Sequence, residues 1–345
     1  MFNRFYESFY LTILVNIVVS GPKTIIYIEK LNKKAVVSHT EEIFNTNEFT
    51  NEINSYISQA IKESPYFYIS ILDNSTSQGV IPTCAKENTS FFYDLSVSKY
   101  RCYKNRWIYY SEKSNIYDIE KTYSKIGVDF IFSPFIILTN FFKDKINTHL
   151  AMFILIQENS VLLSIFDNAE LLFGEYLDMS QEIETHEELS IENHDIEEIE
   201  LDDEESDDSI DLDDIDALDD IDELDDFGAI ADLDSIEDID EFSEAKDVEE
   251  ELAEQEIEED NTPISEDDGF SDDYQRFFLI QNSIKEFYKN PKYKSEFVET
   301  VYIADSIGVN GDLKQYLEEE MFLNVYVRNM DLAAELCEIT KMELS

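Results

Sequence analysis

No common catalytic signature runs through these 345 residues. Gly-x-Ser-x-Gly, the Walker A pattern and His-Glu-x-x-His are all missing, which removes the serine-hydrolase, P-loop and zinc-protease chemistries those patterns carry. Histidine is scarce. His39 and His149 stand alone beside threonines, and His186 and His194 sit among acids, so all four read as structural or solvated groups. The three cysteines, Cys84, Cys102 and Cys337, are odd in number and far apart, with no Cys-x-x-Cys or Cys/His cluster. That pattern predicts neither a disulfide framework nor a zinc site, and points to a reducing cytoplasm. Positive charge is also short: 25 Lys and Arg face 78 Asp and Glu, for a formal charge of −53. Such a chain repels nucleic acid and anionic headgroups. Long apolar runs are missing too. Phe9–Ser20 is apolar for only about 12 residues and contains Asn16, too short to span a bilayer. It reads as a buried strand ending at Gly21–Pro22, with a signal-peptide core cleaved before Gly21 as the alternative.

What is abundant is acid in one place. About 47 of the 78 acidic residues fall between Asp178 and Tyr274, opposed there only by Lys246. The remainder carries about −7, ordinary for a domain of its size. The composition therefore describes a folded chain interrupted by a polyanion. About 250 residues remain for the fold, enough for a sizeable core, and they hold most of the 24 Phe and 20 Tyr. Aromatic and β-branched residues in such numbers favour strands.

Along the chain, residues 10–38 read as a meander of two or three strands. The spacing of Phe49, Ile53, Ile57 and Ile61 predicts an amphipathic helix over 46–62, ended by Pro65. Residues 67–72 follow as a strand, and 73–105 read as loop. Residues 107–110 and 128–132 are expected strands, with a helix over 116–126 between them and a largely buried helix over 135–144 after them. Lys143 and Lys145, flanking Asp144, read as a solvated helix end. A strand hairpin series covers 150–157, 160–166 and 170–177. Beyond the acid tract, helices are expected at 277–288, 312–319 and 332–341, with strands at 297–304 and 323–327. Those short spacings imply a parallel βαβ piece packed on the earlier sheet. Trp107, among Tyr109 and Tyr110, reads as core and not as a base-stacking platform.

Within the tract, apolar residues recur at every third position from Leu212 through Ile215, Leu218, Ile221 and onward to Ile239 and Phe242, mostly with Asp between. A three-residue step drifts by about 60° per repeat around an α-helix, so no apolar stripe forms. Asp is a poor helix former and like charges three and four apart repel, so disorder is the expectation. Acidic–apolar alternation of this kind suits docking on a basic, greasy surface. No Asp-x-Asp-x-Asp-Gly loop is present for calcium.

Four runs carry a resemblance. Residues 64–83 place a strand before a Gly-containing loop. Residues 127–146 give a strand, a Ser-Pro-Phe break and a buried helix. Residues 151–177 form a hairpin, and residues 283–327 give helix, strand, loop, helix and strand. In this organisation the chain resembles the PilM/GspL family, actin-like cytoplasmic platform proteins of type IV pili and type II secretion, over about residues 10–177 and 275–345. The resemblance implies an α/β, actin-like (ribonuclease H-like) mixed sheet with flanking helices, interrupted by a long acidic disordered insertion. The implied organisation is a first segment 1–177, the insertion 178–274 and a closing βαβ segment 275–345.

ATP-binding members of such a fold use Asp and Gly in their phosphate and adenosine loops. Here the first loop position reads Asn16 to Gly21 without Asp, the second reads Ile156-Gln157-Glu158-Asn159 with neither residue, and the third reads Ala304-Asp305-Ser306 with Gly308 late. Asp305 reads as a loop cap. The resemblance with these departures implies a non-catalytic scaffold with no cofactor, metal or catalytic residue. It would sit on the cytoplasmic face of an inner membrane, on a pilus, secretion or flagellar-motor platform. It would hold the PilN-like tail of a bitopic membrane protein, engage a basic protein through the acid tract, and allow a homo-oligomer or ring. An actin-like ATPase with unconventional loops, and an acidic decoy or chaperone, remain the alternatives.

Overall fold

The computed structural model describes residues 10–180, 272–308 and 311–345. The every-third-residue repeat, the two tract histidines and the expected disorder therefore lie outside the described residues. Thirteen described strands run in chain order as β1 (Leu11–Ser20), β2 (Lys23–Asn32), β3 (Ala35–Phe44), β4 (Tyr66–Leu72), β5 (Gln78–Ile81), β6 (Ser98–Tyr103), β7 (Trp107–Glu112), β8 (Phe130–Phe132), β9 (Ala151–Ile156), β10 (Ser160–Asp167), β11 (Glu170–Asp178), β12 (Thr300–Asp305) and β13 (Asn324–Asn329). The described helices are α1 (Asn51–Ile61), α2 (Lys86–Phe92), α3 (Lys113–Thr122), α4 (Pro134–Phe141), α5 (Asp272–Lys289), α6 (Asp312–Glu319) and α7 (Leu332–Leu344).

One sheet has the order β3-β2-β1-β4-β8 and a second the order β11-β10-β9-β12-β13. In each, the first three strands form an antiparallel meander, and the fourth and fifth join parallel to the first. A mixed 3-2-1-4-5 sheet made twice in one chain is the actin-like, ribonuclease H-like fold. The acid tract falls between the third strand of the second repeat and its first helix, α5. The C-terminal βαβ piece is not a separate layer, because β12 pairs directly with β9, Val301 standing opposite Met152.

β1 explains why its sequence mimics a leader. It is the middle strand of its sheet, and Ile13 through Val18 are all buried. A strand covered on both faces reads as a continuous apolar run instead of alternating. Cleavage after Ser20 would remove the strand between β2 and β4, so the signal-peptide alternative for this segment is overturned. Among the described residues no helix is long and apolar enough to cross a membrane.

Residues 73–105 are not loop. They supply β5, α2, a short 3-10 turn at Leu95–Val97 and β6, and with β7 make a small antiparallel sheet of order β5-β7-β6. Polar and charged residues dominate these short elements, and α2 buries none of its residues, so hydrophobic periodicity is faint. The expectation of unpaired cysteines fails here too. Cys84, just after β5, is disulfide-bonded to Cys102 on β6, with Cα atoms 5.8 Å apart, and Cys337 is the buried free thiol. The compartment argument drawn from the cysteines falls with it, because such bonds belong mainly to oxidising environments.

Three apolar layers hold the body together. α1 and α3 cover one face of the first sheet, with Ile53 and Ile57 against Ile13, Val15, Ile17 and Ile69. α5 and α6 cover the outer face of the second, with Phe277, Ile280 and Phe287 against Ile154 and Leu163. A buried pair, Asp273 and Arg276 at 2.7 Å, sits at the start of α5, and Asp273 also accepts from the Leu313 amide of α6. Between the sheets lie α4 and α7, each exchanged: α4 closes the first repeat yet packs on β9 and β10, while α7 closes the second yet packs on β1, β2 and β4. Phe142, Phe153 and Tyr302 stack in this layer, and Trp107 is buried against Phe166. Each large apolar side chain buried here stabilises by about 1.5–3 kcal/mol before entropy is counted. Just past the end of α4, Lys143 and Asp144 are exposed, as expected of a solvated helix end. Asp144 holds both Arg328 guanidinium nitrogens, at 3.2 and 3.0 Å, and this pairing keeps its carboxyl below the usual range.

Candidate functional site: the junction between the two sheets

The loops that an actin-like nucleotide site would use do converge. Gly21, at the β1–β2 turn, has φ +53°, a left-handed conformation that favours glycine. A Cβ placed there would stand 2.6 Å from Glu158 Cγ, in the β9–β10 turn of the other repeat. The first and second loop positions therefore touch. The third joins them, as Ser306 Oγ donates to the Ile156 carbonyl at 2.7 Å.

What fills the junction is the chain's own polar side chains. Asn74, just after β4, donates from Nδ2 to the Val19 carbonyl and accepts from Gln157 Nε2 at 3.3 Å. Gln157 Oε1 accepts from Ser160 Oγ at 2.9 Å. Tyr176, on β11, donates to the Asn74 carbonyl at 3.1 Å, and burial pushes its phenol up to about 12, so it stays a neutral donor. Gln78 Nε2 donates to the carbonyls of Asp73 and Ser75, and its Oε1 accepts from Ser133 Oγ at 2.9 Å. These side-chain amides satisfy one another and the neighbouring backbone, the Ser75 hydroxyl alone among them being buried without a partner, and no Lys or Arg side chain takes part among the described residues.

Two acids stand at the junction, and the duplication gives them one role. Asp73 follows the fourth strand of the first repeat and Asp305 ends the fourth strand of the second. Asp73 Oδ1 accepts the Ser75 amide at 3.0 Å, and Asp305 Oδ1 accepts the Ile307 amide at 3.0 Å and the Gly308 amide at 2.9 Å. Both are carboxylates capping the turn that leaves the sheet. The loop-cap reading of Asp305 holds. Asp73, Asn74 and Gln78 escaped sequence reading because they lie in the stretch taken for loop. The signal was available as an Asp placed immediately after an apolar strand in both repeats. The histidines behave as expected where described: His39 and His149 are exposed. Among the described residues, no group of three or more His, Cys, Asp or Glu could hold a metal ion.

A second buried polar cluster ties the chain's end to its beginning. Asn16, Ser70 and Thr340 are fully buried. Ser70 Oγ lies 2.6 Å from Thr340 Oγ1, which reaches Asn16 Oδ1 at 3.1 Å and the Leu336 carbonyl at 3.0 Å. Next to it, Lys341 stands 2.7 Å from buried Glu29 and 2.6 Å from Glu338. Burial works against the Lys341 charge, but those hydrogen bonds outweigh it and raise its pKa.

Residues 152–345 match a family model described as "Domain of unknown function (DUF8341)". The chain belongs to the DUF8341 family. Residues 9–139 of this family member match a second model, "Domain of unknown function (DUF8569)". A comparison with curated proteins finds no match. Among solved structures, a Bacteroides thetaiotaomicron protein with an actin-like ATPase fold and unknown function is 11% identical, with 98% of each chain covered and a TM-score of 0.47. A PilM–PilN type IV pilus biogenesis complex is 6% identical over 48% of this chain and 61% of that one, at 0.34. An exopolyphosphatase from Cytophaga hutchinsonii is 8% identical over 49% and 51%, at 0.26. The fold assignment itself rests on the twice-made strand order.

Proposed function

We propose that this DUF8341 member is a non-catalytic actin-like scaffold of the PilM/GspL kind, which holds the tail of a bitopic membrane protein and so associates peripherally with an inner membrane. The single observation that carries the non-catalytic part is the self-satisfied junction. A phosphate chain needs free donors, cations or a metal where the loops meet. Here the Asn74, Gln78 and Gln157 amides and the Ser160 hydroxyl already have protein acceptors, the Ser75 hydroxyl is the buried donor left over, and Glu158 lies against Gly21.

The surface that favours the scaffold part is β3. Among the described residues it is a free edge of its sheet, ten residues long, with nine of them exposed, including Val36, Val37 and Ile43. An edge of that length with apolar side chains is a template on which an extended tail adds as a further strand. The acid tract would then be the arm that meets a second, basic protein.

The rival is an actin-like ATPase with unconventional loops, and the paired acids Asp73 and Asp305 favour it. Millimolar ATP with magnesium added to the full chain separates the two. A ligand that binds the folded state raises its melting temperature by linkage, so no shift removes the ATPase, and a shift of several degrees overturns the loss of nucleotide binding. Crosslinked pull-down from membranes tests the partner: a single-span membrane protein should be recovered, and should be lost when Val37 and Ile43 are replaced by Lys. Recovery unaffected by those substitutions would overturn the β3 assignment.

A further inference from the structure

Cations are few in this chain, yet three of them border one cavity. Arg106 immediately precedes β7, and Lys292 and Lys294 lie in the link between α5 and β12. The space they share is about 470 Å³, the size of a small-molecule pocket. Two tight turns with left-handed residues, Lys104–Asn105 and Asn168–Ala169, join β6 to β7 and β10 to β11 beside it. Among the described residues none of the three cations is ion-paired with a carboxylate. One Arg106 nitrogen donates to the Ala169 carbonyl at 3.3 Å, which steadies the guanidinium, and the Lys292 ammonium sits 5.9 Å from the centre of the Phe91 ring.

The cavity also has an apolar wall. Leu171 is buried, and Phe92 and Tyr293 are half-buried with ring centres 6.1 Å apart. Tyr293 is held edge-on by Phe173 at 4.8 Å, and burial raises its phenol, so it adds no negative charge. Glu170 is the one acid among the lining residues, so three cations leave an excess of two positive charges. A smaller cavity of about 60 Å³ shares Arg106 and adds Lys104 and Lys143, with no acid among its lining residues. Like charges around one space repel, and an anion placed there relieves the repulsion. Solvated surface lysines would need no hydrophobic wall between them.

We propose that this cavity binds a small organic phosphate monoester, its phosphate held by Arg106, Lys292 and Lys294 and its carbon part laid against Leu171, Phe92 and Tyr293. Such a monoester carries close to two negative charges at pH 7, which matches the excess. The Arg106 guanidinium supplies a planar fork for two phosphate oxygens, and the lysines supply point charges. The site is separate from the junction. Glu158 stands at one end of β10 and Asn168 at the other, and the eight residues of that strand span about 27 Å.

Calorimetric titration of the full chain with 1-naphthyl phosphate tests this directly. Binding should be one to one, and at least about tenfold tighter than that of 1-naphthol, 1-naphthoate or inorganic phosphate, because only the monoester offers both the dianion and the apolar part. Arg106→Glu and Lys294→Glu should each weaken it by about tenfold or more. Both side chains are exposed, so the melting temperature without ligand should stay that of the parent. Lys125→Glu, an equal change of charge at an exposed lysine outside the lining, should leave the affinity unchanged. No binding at millimolar 1-naphthyl phosphate would overturn the proposal. Equal weakening by Lys125→Glu would do so too, as would 1-naphthoate binding as tightly as the phosphate.

Discussion

The contact that makes the last helix part of the first sheet can be tested by a double-mutant cycle at Ser70 and Thr340. The two hydroxyls are 2.6 Å apart, 270 residues apart in sequence, and neither is exposed. Thr340→Val keeps the shape but removes a group that also reaches Asn16 Oδ1. Ser70 and Asn16 would then each hold a buried polar atom without that partner, and a buried unsatisfied group costs about 1–3 kcal/mol. A loss of about 2–3 kcal/mol is expected. Ser70→Ala alone should cost about 1 kcal/mol, because Thr340 keeps its other partners. In the double variant the Ser70 hydroxyl can no longer be orphaned, so the total should fall short of the sum by about 1 kcal/mol. Urea unfolding of the full chain reads these values from the midpoint, provided the slope is unchanged. At this size each kcal/mol corresponds to about 2–4 °C in Tm. Effects that add to within about 0.3 kcal/mol, or a Thr340→Val variant as stable as the parent, would refute the docking of α7 on β1 and β4.

Other consequences are as direct. Reducing the Cys84–Cys102 bond, which closes a loop of separation 18, should destabilise the protein by about 3 kcal/mol, with Cys337 alkylated only after denaturation. Rapid alkylation in intact cells decides the compartment: free thiols at Cys84 and Cys102 keep the cytoplasmic placement, and an oxidised pair refutes it. Burial raises the Glu175 carboxyl, although its hydrogen bond from Ser283 at 2.6 Å pulls the other way. A carboxyl raised on folding favours the folded state when protonated, and that advantage is lost as pH rises through the raised value. Glu175→Gln should therefore increase Tm at pH 7, with the gain shrinking towards pH 4. A gain that does not vary with pH would assign the effect to packing. Phe153→Ala, in the layer between the sheets, should cost about 3–5 kcal/mol, measured by urea unfolding. A loss below about 1 kcal/mol would mean that this layer is not closely packed.

How much of this was legible depended on where burial is strong. α6 falls on the predicted 312–319 because Leu313 and Leu317 are buried at a helical step between polar neighbours. β9 and β10 are buried almost throughout, so their apolar runs announced them. β1 was ambiguous for the same reason, since an all-apolar strand and a leader core look alike until neighbours are known. Of the β5-β7-β6 sheet only β7 was legible, because β5 is four residues long and β6 and α2 bury almost none of their side chains. The disulfide was hidden because Cys84 and Cys102 meet only once β5 and β6 flank β7. In the junction, sequence located the three loops and their departures from the Asp and Gly pattern, but not the interlocking of Asn74, Gln157 and Gln78. Those contacts join the two repeats and depend on the second sheet being in place.

The two family matches, 9–139 and 152–345, part in the link between α4 and β9, which is where one repeat ends and the next begins. That division marks the duplication and not two independent bodies. Each match ends in the helix, α4 or α7, that packs on the other repeat's sheet. Separated, the first repeat would expose Phe135 and Leu138 and lose Leu336 from its own sheet, while the second would bare Leu155 and Phe166. Among the described residues neither half has another element to cover that face. Because the exchanged helices lie in the layer between the sheets, a hinge that opened the junction would have to break the same contacts that hold each repeat together. Any motion that opened the junction would therefore cost each repeat part of its own core, whatever residues occupy the loops.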